Sequence, residues 1–450
     1  MLGRAFAVFL CFVPVLALAS TPGTPPIAPR LLLVSIDGLG WTRWQQHRGL
    51  TPNLNKLTIG GTAVPLQSVF PTMTWPAHAT LVTGSLPLHH GVLGNHLWSR
   101  AAHKVVEAWQ GPPPAGPTIW QALRQAQLHV AAVLWPNTAG APIDWALPEV
   151  YGQKAFENAA SPGLLSDLAM AGLPVDHLGS HGGEEAFLLD TFSRDAAVYL
   201  VQTHQPEFLA LHWVALDTWS HRFGPDSAEA MWALQLIDRY LGEVLQVYEA
   251  HGLRKGLRLV VVSDHGFLEV TEAYSAHQLL MDAQLPAAWT KAVQVVSNGH
   301  CLYMYVTKPE LHDEIVAVLR HSLSKHPKLD KVLGPDQLVA LGLPSPKEHD
   351  QAPDLVALAR PEVLWSTAHV PGQPGKPTIH GMHGQLPSSP QLQGIFVTNQ
   401  AVTSGGALTL MRMQDVAPTL MAWFGVPYAA MDGQKVPGLT TLAPHWTAAP

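Results

Sequence analysis

The chain has 450 residues, enough for one large domain with an insertion or for two domains. Lys and Arg number 26 and Asp and Glu 33, a net charge of −7, and charged residues are only 13% of the chain. So mildly acidic a chain argues against a nucleic-acid duplex or an anionic membrane as the main partner, since neither is attracted to it. The 24 histidines point elsewhere, because imidazole is the commonest transition-metal ligand.

In chain order, residues 1–19 read as a signal peptide. A short basic start is followed by the apolar run AFAVFLCFVPVLALA and an Ala-Leu-Ala cleavage site. Fifteen residues broken by Pro14 are short for a membrane span, and no later segment is long and apolar enough, so no stable span is expected after signal removal. Removal of the signal leaves one cysteine, Cys301, and therefore no intrachain disulfide. Export without disulfides suggests the bacterial periplasm, or secretion. The Pro-rich segment 20–30 reads as a linker.

The run LLLVSID (31–37) is continuously apolar, as a parallel strand buried on both faces must be. HVAAVLWP (129–136), EFLALHWVAL (207–216) and LRLVVVSDHG (257–266) repeat that texture, and 228–252 reads as an amphipathic helix stopped by Gly252. Strands alternating with helices predict an α/β fold with a doubly wound, mostly parallel sheet flanked by helices. From about residue 290 the texture changes, with short strands around the amphipathic stretch PELHDEIVAVLRHSL. Residues 290–370 are expected to form a small inserted cap subdomain. The main domain, 31–289, resumes at 371–450 with the strand-like QGIFVTN and the helical MQDVAPTLMAWFGVP.

Three of the apolar runs end on an acid. Asp37 follows the first. Asp217, with His221 four residues on, follows the third. Asp264 and His265 follow the fourth. In an open α/β sheet the carboxyl ends of the strands line the ligand crevice, so these residues are expected to converge there. Mixed carboxylate and imidazole sets suit Zn2+. A further ligand is expected from IHGMHG (379–384), where His380 and His383 are equally placed.

The stretch SVFPTMTWPAHATLVTG (68–84) carries no charge and holds Thr72 and Thr74 just before a predicted helix. Trp75 precedes Pro76 and is therefore expected to be extended. Thr74 then falls at the helix N-terminus, where an alkoxide is stabilised, which favours it modestly over Thr72 as a nucleophile. There is no G-x-S-x-G elbow, P-loop or dinucleotide fingerprint, and Cys301 lies in an apolar run.

Taken in order, SIDGLG, TPNLNKL, FPTMTWPAHATLVTG, HHGVLGN, DTWSHRFGP, VVSDHG and GMHG resemble the nucleotide pyrophosphatase/phosphodiesterase family of the alkaline phosphatase superfamily. The resemblance runs from about residue 31 to 427 and is loose over the cap. It implies an alkaline-phosphatase-like fold and two Zn2+ ions bridged by the reacting phosphate. It implies Asp217, His221 and His383 for one ion and Asp37, Thr74, Asp264 and His265 for the other. It selects Thr74 as nucleophile, Asn95 to support a phosphate oxygen, Trp75 to stack a nucleobase and Tyr151 to close over it. The family often reads Thr-Phe-Pro-Asn-His where this chain has Thr74-Trp75-Pro76-Ala77-His78.

The implied activity is hydrolysis of phosphodiester or pyrophosphate bonds in small nucleotide-like substrates through a phospho-threonine, with no obligate protein partner evident. The alternatives are a zinc phosphomonoesterase or a phosphonate or phospholipid hydrolase of the same superfamily. From another class, the chain could be an exported zinc- or nucleotide-binding protein without catalysis.

Overall fold

The computed structural model describes residues 29–176, 178, 185–366, 377–402 and 408–439. The predicted signal peptide and most of the predicted linker lie outside the described residues, as does the predicted return to the main domain at 370–371. Among the described residues no helix is long and apolar enough to cross a membrane.

Eight strands form the central sheet: β1 (Arg30–Ile36), β2 (Thr62–Gln67), β3 (Val130–Val133), β4 (Trp145–Leu147), β5 (Phe208–Trp213), β6 (Leu257–Val262), β7 (Gly394–Thr398) and β8 (Met411–Arg412). Their order is β8-β2-β7-β6-β1-β5-β3-β4. β1 pairs in parallel with β5 and β6, and the parallel array continues through β3 to β4. β2 and β8 are also parallel to each other. β7 alone runs antiparallel, against both β2 and β6.

Five helices matter for the site: α1 (Thr74–Thr83), α2 (Glu185–Thr203), α3 (Ala215–Phe223), α4 (Ala228–Ala250) and α5 (Val416–Phe424). Alternation along β1 divides its side chains between the two faces of the sheet. Leu32, Val34 and Ile36 meet α2, α3 and α4, while Leu31 and Leu33 pack on the side of α1 and α5. This two-sided burial is why the strand sequence is continuously apolar. Each such fully buried aliphatic side chain contributes about 1.5–3 kcal/mol. The sheet is therefore a rigid platform at whose carboxyl edge polar residues are held.

A second, four-stranded antiparallel sheet pairs Val293–Asn298, Cys301–Val306, Leu355–Ala359 and Leu329–Leu333 in that order. The helix His312–Leu323 covers it with Ile315, Leu319 and Leu323. Its core also takes in Ala276, Leu279, Leu280 and Ala283, ahead of residue 290.

Two local expectations are corrected. Trp75 is helical, not extended: α1 begins at Thr74, and its N-cap is Met73, at φ −126° and ψ 150°. Pro76 falls in the first helical turn, where a missing N–H costs nothing, and this outweighs the usual bias of the residue before proline. Asp217 does not end a strand. β5 stops at Trp213 and Asp217 lies in the first turn of α3, which puts His221 one turn later on the same helical face.

Candidate metal centre and nucleophile

The carboxyl ends of β1, β5 and β6 lie side by side; Asp37 and Asp264 follow β1 and β6, and Asp217 comes from the helix after β5. Asp37 follows β1 directly. Gly38 after it is left-handed, at φ +75°, and a Cβ there would come within 2.5 Å of the Phe267 ring. That turn lets the Gly38 amide donate to Asp264 Oδ1 at 3.1 Å. The His265 amide donates to the same oxygen at 2.9 Å, so Oδ2 of Asp264 is left facing inward.

Three imidazoles are presented in one manner. His221 Nδ1 donates to the Gly381 carbonyl at 2.8 Å. His383 Nδ1 donates to the Thr72 carbonyl at 2.8 Å, and His265 Nδ1 to the Gly266 carbonyl at 3.2 Å. A nitrogen facing a carbonyl must carry a proton, so each ring turns its Nε2 into the site, where it can ligate a metal once it carries none. This is how metal-ligating histidines are usually oriented.

The Nε2 atoms meet the acids closely. His265 Nε2 is 3.1 Å from Asp264 Oδ2 and 3.5 Å from Asp37 Oδ1. His221 Nε2 is 3.5 Å from Asp217 Oδ2, and His383 Nε2 is 3.7 Å from Asp217 Oδ1. His221 and His383 bring their Nε2 atoms within 3.1 Å of each other. Two facing lone pairs at that distance repel unless a proton or a cation lies between them.

Among the described residues two compact sets of potential ligands result: Asp37, Asp264 and His265, and Asp217, His265 and His383. The first coincides with three of the four residues expected around one ion. In the second, His265 stands where His221 was expected, and His221 remains adjacent. Asp37 Oδ1, Asp217 Oδ1, Asp264 Oδ2 and His265 Nε2 are all buried without a hydrogen-bond partner. Buried polar atoms are rarely left so, and four orphans aimed at one volume fit divalent cations. The donor set of carboxylate oxygen and imidazole nitrogen fits zinc.

The electrostatics agree. Burial, with the charges of Asp264 and Asp217 added, pushes the Asp37 carboxyl well above the usual carboxylate range. Burial also raises Asp217. Burial acts in the same direction on Asp264, but the positive charge of the neighbouring His265 outweighs it and holds that carboxyl well below the usual range. Burial and the neighbouring His265 and His221 keep His383 well below the ordinary imidazole value, hence neutral and able to ligate. Three carboxyls in one buried volume need a positive counter-charge if all are to ionise.

A cavity of about 270 Å³ opens beside these groups. Asp37, Asp217, His221 and His383 line it together with Thr74, Asn95, Trp75, Tyr151 and Glu149. Among the described residues no Lys or Arg lines it. Thr74 sits at the first position of α1, beside the partial positive charge of that helix end. Asn95 Oδ1 accepts the Trp75 amide at 3.2 Å, which leaves the Asn95 NH2 as the free arm of that side chain. Trp75 borders the cavity but is only 3% exposed, packed on Ala79 and Val92. Tyr151 is 37% exposed, and its ring centroid is 5.7 Å from that of Trp109. His380 is not in either ligand set; its amide donates to the His221 carbonyl at 2.7 Å.

Sequence reasoning missed the supports. Thr72 takes no place in the cavity wall, but its carbonyl orients His383. His78, one turn after Thr74, is fully buried and bridges the Thr74 carbonyl and Ser35 Oγ, at 2.8 and 2.9 Å. Asn298 Oδ1 accepts the amides of Asn95 and His96 at 2.8 and 3.1 Å. His212 contacts Asp37 Oδ2 at 3.1 Å and Glu149 at 2.9 Å. The available signal was polarity out of place: a histidine inside the apolar run FLALHW, and another in PAHAT.

Comparison with known proteins bears on this arrangement. The family model described as Type I phosphodiesterase / nucleotide pyrophosphatase matches residues 31–386. A venom phosphodiesterase of Macrovipera lebetinus is 28% identical over 251 residues, 54% of this chain and 26% of the relative. Ectonucleotide pyrophosphatase/phosphodiesterase family member 1 of Mus musculus is 28% identical over 249 residues, 53% of this chain and 24% of the relative. The matched region thus spans about a quarter of each of these relatives' length. Murine ectonucleotide pyrophosphatase / phosphodiesterase 5 superimposes with a TM-score of 0.65 at 19% identity, covering 89% of this chain and 97% of that one. A second structure of it, described as an inactive threonine-to-alanine variant in complex with AMP, gives the same TM-score at 18% identity. The match of the family model over most of its length places the chain in the type I phosphodiesterase / nucleotide pyrophosphatase family.

Proposed function

We propose that the protein is a two-zinc phosphodiesterase or nucleotide pyrophosphatase that hydrolyses small nucleotide-like substrates with Thr74 as nucleophile. The observation that carries this reading is the set of four orphaned, buried donor atoms beside a cavity that Thr74 also lines. Asp37, Asp264 and His265, with Thr74, would hold one Zn2+, and Asp217, His221 and His383 the other. Zinc bound there supplies the Lewis acidity that lowers the pKa of the threonine hydroxyl and neutralises charge gathering on phosphate.

The residues divide the remaining work. Thr74 Oγ forms a bond to phosphorus as the bond to the leaving oxygen breaks, and that oxygen departs with the electron pair and takes a proton. In the second step a water oxygen bonds to phosphorus, the bond to Thr74 Oγ breaks, and the threonine regains its proton. The NH2 of Asn95 donates to a non-bridging oxygen, because its own carbonyl oxygen is engaged by the Trp75 amide. Tyr151 offers the accessible ring for a base, with Trp75 as the packed floor beneath.

The cavity's charge favours a diester over a monoester. Asp37, Glu149 and Asp217 border it and, among the described residues, no Lys or Arg does, so a dianionic phosphate monoester meets more repulsion than a monoanionic diester. That the murine relative's inactive threonine variant was captured with AMP supports a nucleotide as the substrate class. The apolar segment 5–19 supports export to the periplasm or beyond.

The deciding experiment compares a nitrophenyl ester of a nucleoside monophosphate with nitrophenyl phosphate, each with and without chelator. The diester should turn over faster, and chelation should abolish that turnover until zinc is restored. Faster monoester turnover moves the chain to the phosphomonoesterase reading. No turnover of either, with zinc bound, favours a binding protein.

A further inference from the structure

β5 is buried along its whole length, yet its fifth residue is His212. An imidazole enclosed in a sheet interior must find partners for both nitrogens. His212 Nδ1 lies 2.9 Å from Glu149 Oε2 and 3.1 Å from the Leu134 carbonyl, so it donates on that side. Its Nε2 lies 3.1 Å from Asp37 Oδ2. Leu134 is itself left-handed, at φ +52°, a conformation that disfavours a branched residue and persists here where its carbonyl meets the imidazole.

The consequence falls on Asp37. Its Oδ2 is taken by His212, while Oδ1 is the buried orphan that faces His265 Nε2 at 3.5 Å. One oxygen is anchored to the sheet and the other is offered to the site. Glu149, 4% exposed and on the cavity wall, fixes the imidazole that fixes the acid.

We propose that His212 and Glu149 are positioning residues that hold Asp37 in a one-oxygen presentation to zinc. The inference rests on the reading of Asp37 as a zinc ligand. It assigns a role to a histidine that does not line the cavity, and a second role to a cavity-wall carboxylate.

The test uses the purified full chain and the variants His212→Phe, Glu149→Ala and Glu149→Gln. Zinc affinity is read by competition with a chromophoric chelator, alongside kcat, KM and thermal unfolding. Loss of an outer partner of this kind weakens metal binding by about 10- to 100-fold. That loss is expected for one of two zinc ions in His212→Phe, with kcat falling and KM for the diester little changed. Glu149→Gln keeps an acceptor for Nδ1–H and should retain most of the affinity that Glu149→Ala loses. Leu200→Ala, a core change in α2, controls for lost stability: it should lower the melting temperature without moving either zinc affinity.

If His212→Phe lowers only the melting temperature, as the control does, the positioning role is overturned. If that variant does not fold, the two Glu149 variants decide on the same affinity measure. A wild-type chain that takes up no zinc overturns the parent reading together with this one. Two zinc ions held equally by wild type and variants overturn this one alone.

Discussion

The imidazole of His383 donates from Nδ1 to the backbone carbonyl of Thr72 at 2.8 Å. The hydroxyl of that threonine accepts the Gly384 amide at 3.0 Å and donates to the Gln385 carbonyl at 3.1 Å. Two threonines two residues apart thus have different surroundings. Thr72 clasps the 383–385 turn, while Thr74 opens that helix and borders the cavity. Thr74→Ala should keep zinc content and melting temperature near wild type while diester turnover falls by about 1000-fold or more. Thr72→Val keeps the carbonyl but strands the Gly384 amide, at a cost of about 1–3 kcal/mol in stability. Its turnover should stay within about tenfold of wild type. Chromogenic diester assays and urea unfolding on both variants check the contrast, and equal loss of turnover would dismiss it.

Metal removal should be felt by the fold as well as by the chemistry. Asp37, Asp217 and Asp264 are gathered around one site, and under the proposed assignment each loses its counter-charge when a cation leaves. Chelated protein should melt at a lower temperature, and zinc should restore it with a concentration dependence. At a hundredfold excess over Kd the recovery is about 2.7 kcal/mol. A melting curve indifferent to both chelator and zinc would contradict the ligand assignment.

The second sheet reaches into the site through one side chain. Asn298, at the end of Val293–Asn298, is fully buried and accepts the amides of Asn95 and His96 while donating to the His96 carbonyl at 2.7 Å. Next to it, the His300 amide donates to the His383 carbonyl at 2.8 Å. One hairpin therefore braces Asn95, the proposed phosphate-facing residue, and a proposed zinc ligand together. Asn298→Ala should lower kcat/KM for the diester by about 10- to 100-fold, because a displaced Asn95 no longer meets the phosphate oxygen. Asn298→Asp keeps the acceptor and should lose less. Equal kinetics in wild type and Asn298→Ala would separate the hairpin from the chemistry.

The legible parts of the molecule were those set by period and by strand ends. Continuous apolar runs marked β1, β5 and β6 because two-sided burial leaves no room for alternation, and the acids after them stood out for the same reason. The helix at 228–252 was readable from its apolar stripe, and Ser227 does cap it by accepting the Ala230 amide at 3.1 Å. What escaped depends on distance in the chain. Asn298 lies 203 residues from Asn95, His212 lies 175 from Asp37 and Thr72 lies 311 from His383. No local pattern connects such pairs. The helical state of Trp75 escaped for a different reason, since the bias of a residue before proline is weak enough for a first helical turn to override.

Asp190 provides a pH-dependent handle on the same scaffold. It projects from α2, fully buried, and receives the amides of Val214 and Ala215 at 2.7 and 3.1 Å, where α3 begins. Burial pushes its carboxyl up to about 7, against the lowering effect of those two amides. In the unfolded chain an Asp releases its proton near 4. Between about pH 4 and 7 the folded state therefore binds one proton more than the unfolded state. Stability from this group is fullest at the acidic end and falls by about 1.4 kcal/mol per pH unit as pH rises toward 7, then levels off. Asp190→Asn has no proton to lose and removes that slope. Urea unfolding of wild type and variant across roughly pH 5 to 7, at one zinc concentration, should show a stability difference that shrinks as pH rises. A difference constant across that range would show that Asp190 is already ionised in the folded protein, held so by the two amides that start α3.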